Sequence, residues 1–169
     1  MASAAERSAL KAVVAAAQGA QRKYGVPASV TLAQWIFESS WGTSKLSIVA
    51  KNFFGIKARQ AAIPASYVEF PTAEYENGER VVVEALFEKY PDEAASFEAH
   101  ARLLANAGRY HFAMLHTASP NDFAACLQTA GYSTNPHYAA SLEEAMRDYN
   151  LYQYDVPPDE PAQAVEKAA

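Results

Sequence analysis

A single acid stands among large aromatic rings in one stretch of this chain. Glu38 follows Trp35 by three residues and precedes Trp41 by three, so on a helix the carboxylate would share a face with two rings. A carboxyl group surrounded by apolar rings loses the hydration of its charged form, and its pKa rises as a result. Such a group can hold a proton near neutral pH and deliver it to a leaving group. The same spacing also fits a solvated glutamate on a helix surface, and periodicity alone leaves both interpretations open.

The element that must position Glu38 is the second of two predicted helices. Apolar residues recur at helical spacing over residues 8–24, and Gly25 ends that first helix. The second helix is predicted over residues 27–40, with Gly42 just beyond its end. Glu38 therefore lies in the last turn, where the negative end of the helix dipole adds to desolvation in raising its pKa.

A β-hairpin with further acids is predicted where the period changes, from Tyr67 onward. Two runs of alternating residues flank Asn77-Gly78, and Asn-Gly is the strongest short-range signal for a tight turn. A two-residue turn sets these pairs across the strands: Glu76 with Glu79, Tyr75 with Arg80, and Glu74 with Val81. Because side chains alternate along a strand, Glu74 and Glu76 then share one face.

The rest of the chain is predicted to be mainly helical. Apolar spacing predicts helices over residues 45–50, 92–105, 119–129 and 137–149. The connectors at 52–57, 106–112 and 130–138 are rich in rings, which could line a cleft or plug the core. From Val156 onward, proline and charge predict a disordered tail or linker. We therefore expect one domain over residues 1–155 and a tail over 156–169.

Composition argues against several classes of partner. The net charge is −5 with a sequence pI near 5.4, and no stripe of Lys and Arg appears, so nucleic acid is not an expected partner. No apolar run is long enough to cross a bilayer, and the first eight residues lack the pattern of a secretory signal. We therefore expect a monomer with no membrane span. Delivery to another compartment would depend on an export route or on a parent protein.

The carboxylates are the only chemistry that the sequence supports. The lone Cys126 is flanked by apolar residues, which predicts a packed thiol and not a nucleophile. The four histidines lack the spacing of metal ligands: His100, His111, His116 and His137. We therefore expect no metal site and no cofactor.

Five segments, in the same order along the chain, carry a resemblance to a known family. They cover residues 32–42, 52–57, 72–78, 87–90 and 130–139. Over about residues 12–152 the chain resembles glycoside hydrolase family 73. That family includes bacterial and phage peptidoglycan β-N-acetylglucosaminidases and the wall-cutting domain of a flagellar rod-assembly protein. One departure is Asn135, where the family often has Asp.

The resemblance implies an α+β, mainly α architecture, with a lysozyme-like helical domain and a small β-hairpin lobe. By position, Glu38 is implied as the general acid and Glu74 as the second carboxylate, with Glu76 as its rival on the same strand face. Tyr132 is implied as the tyrosine that assists catalysis, with Tyr138 as the alternative. For the substrate cleft we expect contributions from Trp35, Trp41, Asn52, Phe54, Glu76 and Tyr138.

The implied activity is that of an endo-β-N-acetylglucosaminidase, which cuts the β-1,4 bond between N-acetylglucosamine and N-acetylmuramic acid in peptidoglycan glycan strands. Such an enzyme would act on the cell wall, in the periplasm or outside the cell. Two alternatives remain open at this stage. One is a muramidase or lytic transglycosylase that acts on the other glycosidic bond, and the other is a non-catalytic module for wall binding or assembly.

Overall fold

The chain folds into a helical body that carries one β-hairpin, which confirms the predicted architecture. This computed structural model describes residues 2–58, 66–76 and 79–157, with the backbone alone at 73–76 and 79–80. The helices of eight residues or more are α1 (Ala4–Tyr24), α2 (Ala28–Ser39), α4 (Glu93–Asn106), α6 (Pro120–Thr129) and α7 (Tyr138–Asp148). The shorter helices are α3 (Lys45–Ala50) and α5 (His111–Met114), and the strands are β1 (Tyr67–Glu76) and β2 (Glu79–Glu88).

Helix α1 begins four residues before its predicted start. Ser3 and Glu6 form a capping box, in which the Ser3 side chain accepts from the Glu6 N–H and the Glu6 side chain accepts from the Ser3 N–H. This local signal extends the helix beyond the apolar pattern that marks its inner face. Gly25 ends α1 as predicted, with a left-handed φ of 81° that suits glycine.

Helix α2 is the central helix of the body. Ten of its twelve residues are buried, so it packs on nearly every side. Its neighbours include α1, α6, α7 and the 3-10 segment Leu151–Tyr154. Pro27 gives its N-terminus no side-chain cap, and Asp155 takes that role from far along the chain by accepting from the Ser29 N–H at 2.8 Å. Because α2 is buried along its length and capped at its start, the last turn belongs to a well-packed helix.

The hairpin has the predicted register, with Glu74 opposite Val81 and Glu76 opposite Glu79. The predicted turn at 77–78 lies outside the described residues. At its other end the hairpin joins the body through the segment after α3, where the Glu88 N–H donates to the Ile56 carbonyl at 2.9 Å. The sheet thus lies beside the segment 52–57.

Two further expectations can be compared with the structure. The connector predicted at 106–112 does lie between two longer helices, but it contains a 3-10 turn, Gly108–Tyr110, and leads directly into the short helix α5, which was not predicted. Cys126 packs partly buried against the core, as predicted for a structural thiol. Of the predicted tail 156–169, the part after residue 157 lies outside the described residues, and its disorder stays a prediction. In the part of the chain that the structure describes, no helix is long and apolar enough to cross a membrane.

Candidate active site

Glu38 lies in the last turn of α2, as predicted, where the chain reverses sharply. Ser40, Trp41 and Gly42 follow in left-handed backbone conformations, with φ values of 50°, 59° and 78°. A Cβ added at Gly42 would lie 3.3 Å from the Trp35 ring, so both the conformation and the space favour glycine there. The Ser39 hydroxyl accepts from the Gly42 N–H at 2.7 Å and so closes the turn. These bonds fix the end of the helix from which Glu38 projects.

Two tyrosine hydroxyls donate hydrogen bonds to the Glu38 carboxylate. Tyr132 donates to Oε2 at 3.3 Å, and Tyr138 donates to Oε1 at 3.2 Å. Their rings are stacked, with centroids 5.5 Å apart and an interplanar angle of 20°. Gly131, with a φ of 72°, lets the chain turn after α6 so that Tyr132 points back toward α2. Each carboxylate oxygen thus has its own donor.

Burial dominates the electrostatics of this acid. Loss of hydration raises the pKa of Glu38 from 4.5 to about 7, while the hydrogen bonds from Tyr132 and Tyr138 oppose the rise. Burial and the neighbouring carboxylate raise the pKa of both tyrosines above their ordinary value. The hydroxyls therefore stay protonated as donors at any ordinary pH. Glu38 can exist as an acid or as an anion near neutrality, as proton transfer requires.

Behind each tyrosine lies a second polar side chain, and neither of the two is among the site residues predicted from the sequence. The Gln34 amide nitrogen lies 2.8 Å from the Tyr138 hydroxyl, and His100 Nε2 lies 3.2 Å from the Tyr132 hydroxyl. Gln34 could have been found, since it precedes Glu38 by four residues and shares its helix face. No local pattern links His100 to Tyr132, because they meet only through the fold of α4 against the chain after α6.

The loop after α3 supports His100 from the other side. Asn52 is buried, and its side chain donates to the Ile56 and Glu88 carbonyls at 2.8 Å each and accepts from the Ile56 N–H at 3.0 Å. These bonds shape the loop so that Phe54 stacks on the His100 ring, with centroids 4.0 Å apart. The described contacts of Asn52 are thus with backbone, which makes it an organiser of the loop.

An open cleft of about 530 Å³ runs past the carboxylate. Four residues predicted for the site meet in its wall: Glu38, Phe54, Tyr132 and Tyr138. Lys57, Leu103 and Tyr110 line it as well. The cleft is therefore polar at Glu38 and otherwise lined largely by aromatic and apolar side chains, a composition typical of ligand sites.

The two tryptophans lie elsewhere, and the expectation that they surround the carboxylate is wrong. Trp35 is 1% exposed in the core, with its ring edge-on to Trp41 at 5.9 Å. Trp41 packs against Tyr149 and lines a separate groove. Trp41 lies beyond the helix end, where helical spacing no longer holds, and Trp35 is rotated by about 60° from Glu38 around the helix axis. Tyrosines from the chain after α6 supply the rings instead.

The two candidates for a second carboxylate are described by their backbone alone. Glu74 and Glu76 belong to β1, and their side chains lie outside the described atoms. No group of His, Cys, Asp or Glu among the described residues could hold a metal ion. Two described acids combine partial burial, a raised pKa and a place in the wall of a cavity: Glu38 and Asp155. Asp155 is engaged at the N-terminus of α2, where it accepts from Ser29, so Glu38 is the candidate for proton transfer.

Comparisons with known proteins place this geometry in context. The family described as glucosaminidase, or mannosyl-glycoprotein endo-beta-N-acetylglucosaminidase, matches residues 14–151. The catalytic domain of the autolysin Auto from Listeria monocytogenes has a similar structure, with a TM-score of 0.80 and 30% sequence identity. The match covers 92% of this chain and 90% of that domain.

Curated relatives agree in sequence over most of the chain. The exo-glucosaminidase LytG of Bacillus subtilis is 36% identical over 144 residues, which is 82% of this chain and 50% of LytG. A probable N-acetylmuramidase of Lactococcus lactis is 34% identical over 152 residues, which is 86% of this chain and 34% of that protein. The chain thus spans half or less of the length of these two relatives.

Proposed function

The chain belongs to the glucosaminidase family of glycoside hydrolases, and we propose that it hydrolyses the β-1,4 bond between N-acetylglucosamine and N-acetylmuramic acid in bacterial peptidoglycan. The observation that carries this proposal is the place of Glu38, a half-buried acid that accepts from two tyrosine hydroxyls at the wall of an open cleft, where loss of hydration raises its pKa to about 7. Because its substrate lies in the cell wall, the protein would act in the periplasm or outside the cell.

In this proposal Glu38 is the general acid. It donates its proton to the glycosidic oxygen as the bond to the anomeric carbon breaks, and the sugar passes through an oxocarbenium-like transition state. The departing sugar leaves with a hydroxyl group, and Glu38 is left as an anion. The Tyr132 and Tyr138 hydroxyls then stabilise the new charge, since both already point at the carboxylate.

We further propose Glu74 as the second carboxylate. A carboxylate across the cleft can serve as base, as nucleophile, or as the partner of a substrate whose own N-acetyl group attacks the anomeric carbon. The hairpin register supports a place for an acid on β1, and Glu76 is the rival because it lies two residues further along the same strand. Tyr132 is our choice for the assisting tyrosine, since it joins Glu38 to His100.

Digestion of purified peptidoglycan tests which bond is cut. The products are reduced with borohydride, which labels each new reducing end, and are then analysed by mass spectrometry. We expect reduced N-acetylglucosamine at the ends. Reduced N-acetylmuramic acid would contradict the proposal and favour a muramidase, the activity in the name of the Lactococcus relative. Ends with 1,6-anhydro-N-acetylmuramic acid, which borohydride does not reduce, would contradict it as well and favour a lytic transglycosylase. Binding of peptidoglycan without release of fragments would favour a non-catalytic wall module instead.

A further inference from the structure

Two polar side chains are completely buried behind the tyrosines that contact Glu38. Gln34 and His100 are both 0% exposed. Each uses one polar atom toward a tyrosine hydroxyl, at 2.8 Å for Gln34 and 3.2 Å for His100. The remaining polar atoms, Gln34 Oε1 and His100 Nδ1, have no hydrogen-bond partner among the described residues. Buried polar groups normally find partners. The pattern of paired and unpaired atoms therefore indicates which groups donate and which accept.

The number of hydrogens fixes one order of donors and acceptors. A tyrosine hydroxyl has one hydrogen, and in both tyrosines that hydrogen is directed at Glu38. The hydroxyl oxygens can then only accept from behind. The amide N–H of Gln34 donates to Tyr138, and Nε2–H of His100 donates to Tyr132, so two parallel chains of hydrogen bonds end on the carboxylate.

The unpartnered atoms make the opposite order unfavourable. In the present order the unpartnered atoms of Gln34 and His100 are both acceptors, a carbonyl oxygen and a ring nitrogen lone pair; the third buried atom without a described partner, the indole N–H of Trp35, belongs to neither chain of hydrogen bonds. If Tyr132 donated to His100 instead, Nδ1 would carry the ring hydrogen and bury it without a described partner. If the Gln34 amide turned over, its N–H groups would be buried in the same way. A buried N–H without a partner is rarer in proteins than a buried acceptor without one.

We propose that Gln34 and His100 are positioning residues, which hold both tyrosine hydroxyls as donors to Glu38 and so leave the proton of the acid only the positions that face the cleft. The inference rests on the proposed role of Glu38 as the general acid. It adds that the proton of Glu38 is directed toward the cleft. A proton that cannot be shared with Tyr132 or Tyr138 is available to a sugar oxygen there.

The groups that surround Glu38 allow this effect to be measured as a titration. His100 is neutral over the working range, since burial lowers its pKa to about 3. Tyr132, Tyr138 and the nearby Tyr110 have raised pKa values and stay protonated, and Lys57 lines the same cleft. Donors to a carboxylate favour its anion, so the loss of a donor behind a tyrosine should raise the pKa of Glu38.

Carbon-13 NMR of glutamate labelled at the side-chain carboxyl measures that pKa directly, and the Glu38→Gln variant identifies the Glu38 signal. We expect His100→Phe, which keeps a ring against Phe54, to raise the midpoint of Glu38 by about one pH unit. His100→Gln should return the midpoint toward the original value, because a glutamine amide can place an N–H near the position of Nε2. An unchanged midpoint in folded His100→Phe would overturn the proposal.

Gln34→Met gives an independent test on the other chain of hydrogen bonds. Methionine has a similar volume but no donor, so the midpoint should rise here too, and an unchanged value would overturn the role of Gln34 even if His100→Phe fails to fold. His111→Gln, at an exposed histidine, is the matched control and should leave the midpoint unaltered.

Activity at several pH values separates a positioning role from a merely structural one. A general acid works only while protonated, so the alkaline limb of wall digestion should shift upward with the midpoint in His100→Phe and Gln34→Met. A structural defect would lower the rate at every pH without moving that limb, and this result would contradict the proposal. If Glu38→Gln still cut peptidoglycan, the proposed role of Glu38 as the general acid would fail, whereas the NMR midpoints would still report on the hydrogen-bond order.

Discussion

The helical side of the molecule and its hairpin side are built in different ways. On the helical side, Glu38 projects from a helix with ten of twelve residues buried, and its hydrogen-bond partners extend to Gln34 and His100 in the core. On the hairpin side, Phe87 alone is buried among the side chains that the structure describes, and Val82 is 63% exposed. The helical side is organised before substrate arrives, whereas an isolated two-stranded sheet has little to stabilise it.

This difference suggests a division of roles between the two sides. Proton transfer needs an acid whose pKa is set by fixed surroundings, and the helical side supplies them. In our proposal the second carboxylate belongs to the hairpin, and an element with few buried contacts can adjust its position when a glycan strand binds. Substitutions on the two sides should therefore have different consequences.

The largest effect is expected at Glu38. Glu38→Gln keeps the shape of the side chain but removes the proton donor, and the digestion rate should fall by about 10⁴-fold, the upper end for general acid catalysis. Zymograms with embedded peptidoglycan and turbidity assays measure the loss. Glu98→Gln, at a glutamate whose surface pair with Lys23 is well exposed, is the control and should digest the wall at the original rate.

A smaller but still large loss is expected at the hairpin acid. Glu74→Ala should reduce the rate by about 10²- to 10³-fold, as for removal of one group that stabilises transition-state charge. Glu76→Ala should have the weaker effect in the same turbidity assay. If Glu76→Ala were the more damaging of the two, Glu76 and not Glu74 would be the second carboxylate.

Alanine substitutions of two phenylalanines, one on each side, test whether the hairpin and the helical body differ in this way. Phe87 anchors the hairpin and Phe97 lies in the helical core, with exposures of 7% and 0%. Phe97→Ala should destabilise the whole fold by about 3–5 kcal/mol. Phe87→Ala should lower activity by less than about 100-fold, through misplacement of the hairpin, with little change in helix melting. Circular dichroism during heating measures the melting temperature of the helices in both variants. Equal decreases in that temperature would show that hairpin and body unfold as one unit.

The mildest effect is a pH-dependent change of stability at Glu38. The pKa of Glu38 is raised in the folded protein, so its contribution to stability is full below its unfolded value of about 4.5 and is lost as pH rises through about 7. The shift corresponds to about 3 kcal/mol. Glu38→Gln should therefore melt at a higher temperature relative to the original protein at pH 8 than at pH 4. A difference in melting temperature that is the same at both pH values would show that the buried carboxylate does not set this balance.

Sequence reasoning reached those parts of the site that depend on local signals. Gly25 and Gly42 mark the boundaries around α2, and Asn77-Gly78 predicts the strand register that the structure shows. The capping residue Ser3 was overlooked although its signal is local. The role of His100 depends on a contact with Tyr132, 32 residues later in the chain, and no period of helix or strand encodes such a contact.

The error at the tryptophans has the same origin. Helical spacing predicts neighbours only while the helix continues, and α2 ends before Trp41. Packing with α7 then draws Trp41 toward Tyr149, while Tyr138 takes the place beside Glu38. Glu38 is therefore half-buried beside aromatic rings, but these are the rings of Tyr132 and Tyr138 and not those of the predicted tryptophans.

Titration of Glu38 itself tests the central claim most directly. In the unaltered protein, carbon-13 NMR of the Glu38 carboxyl should give a midpoint near 7, and wall digestion should decline over the same pH range. A midpoint near 4, the ordinary value for a solvated glutamate, would contradict the claim that the fold prepares this residue to hold and deliver a proton.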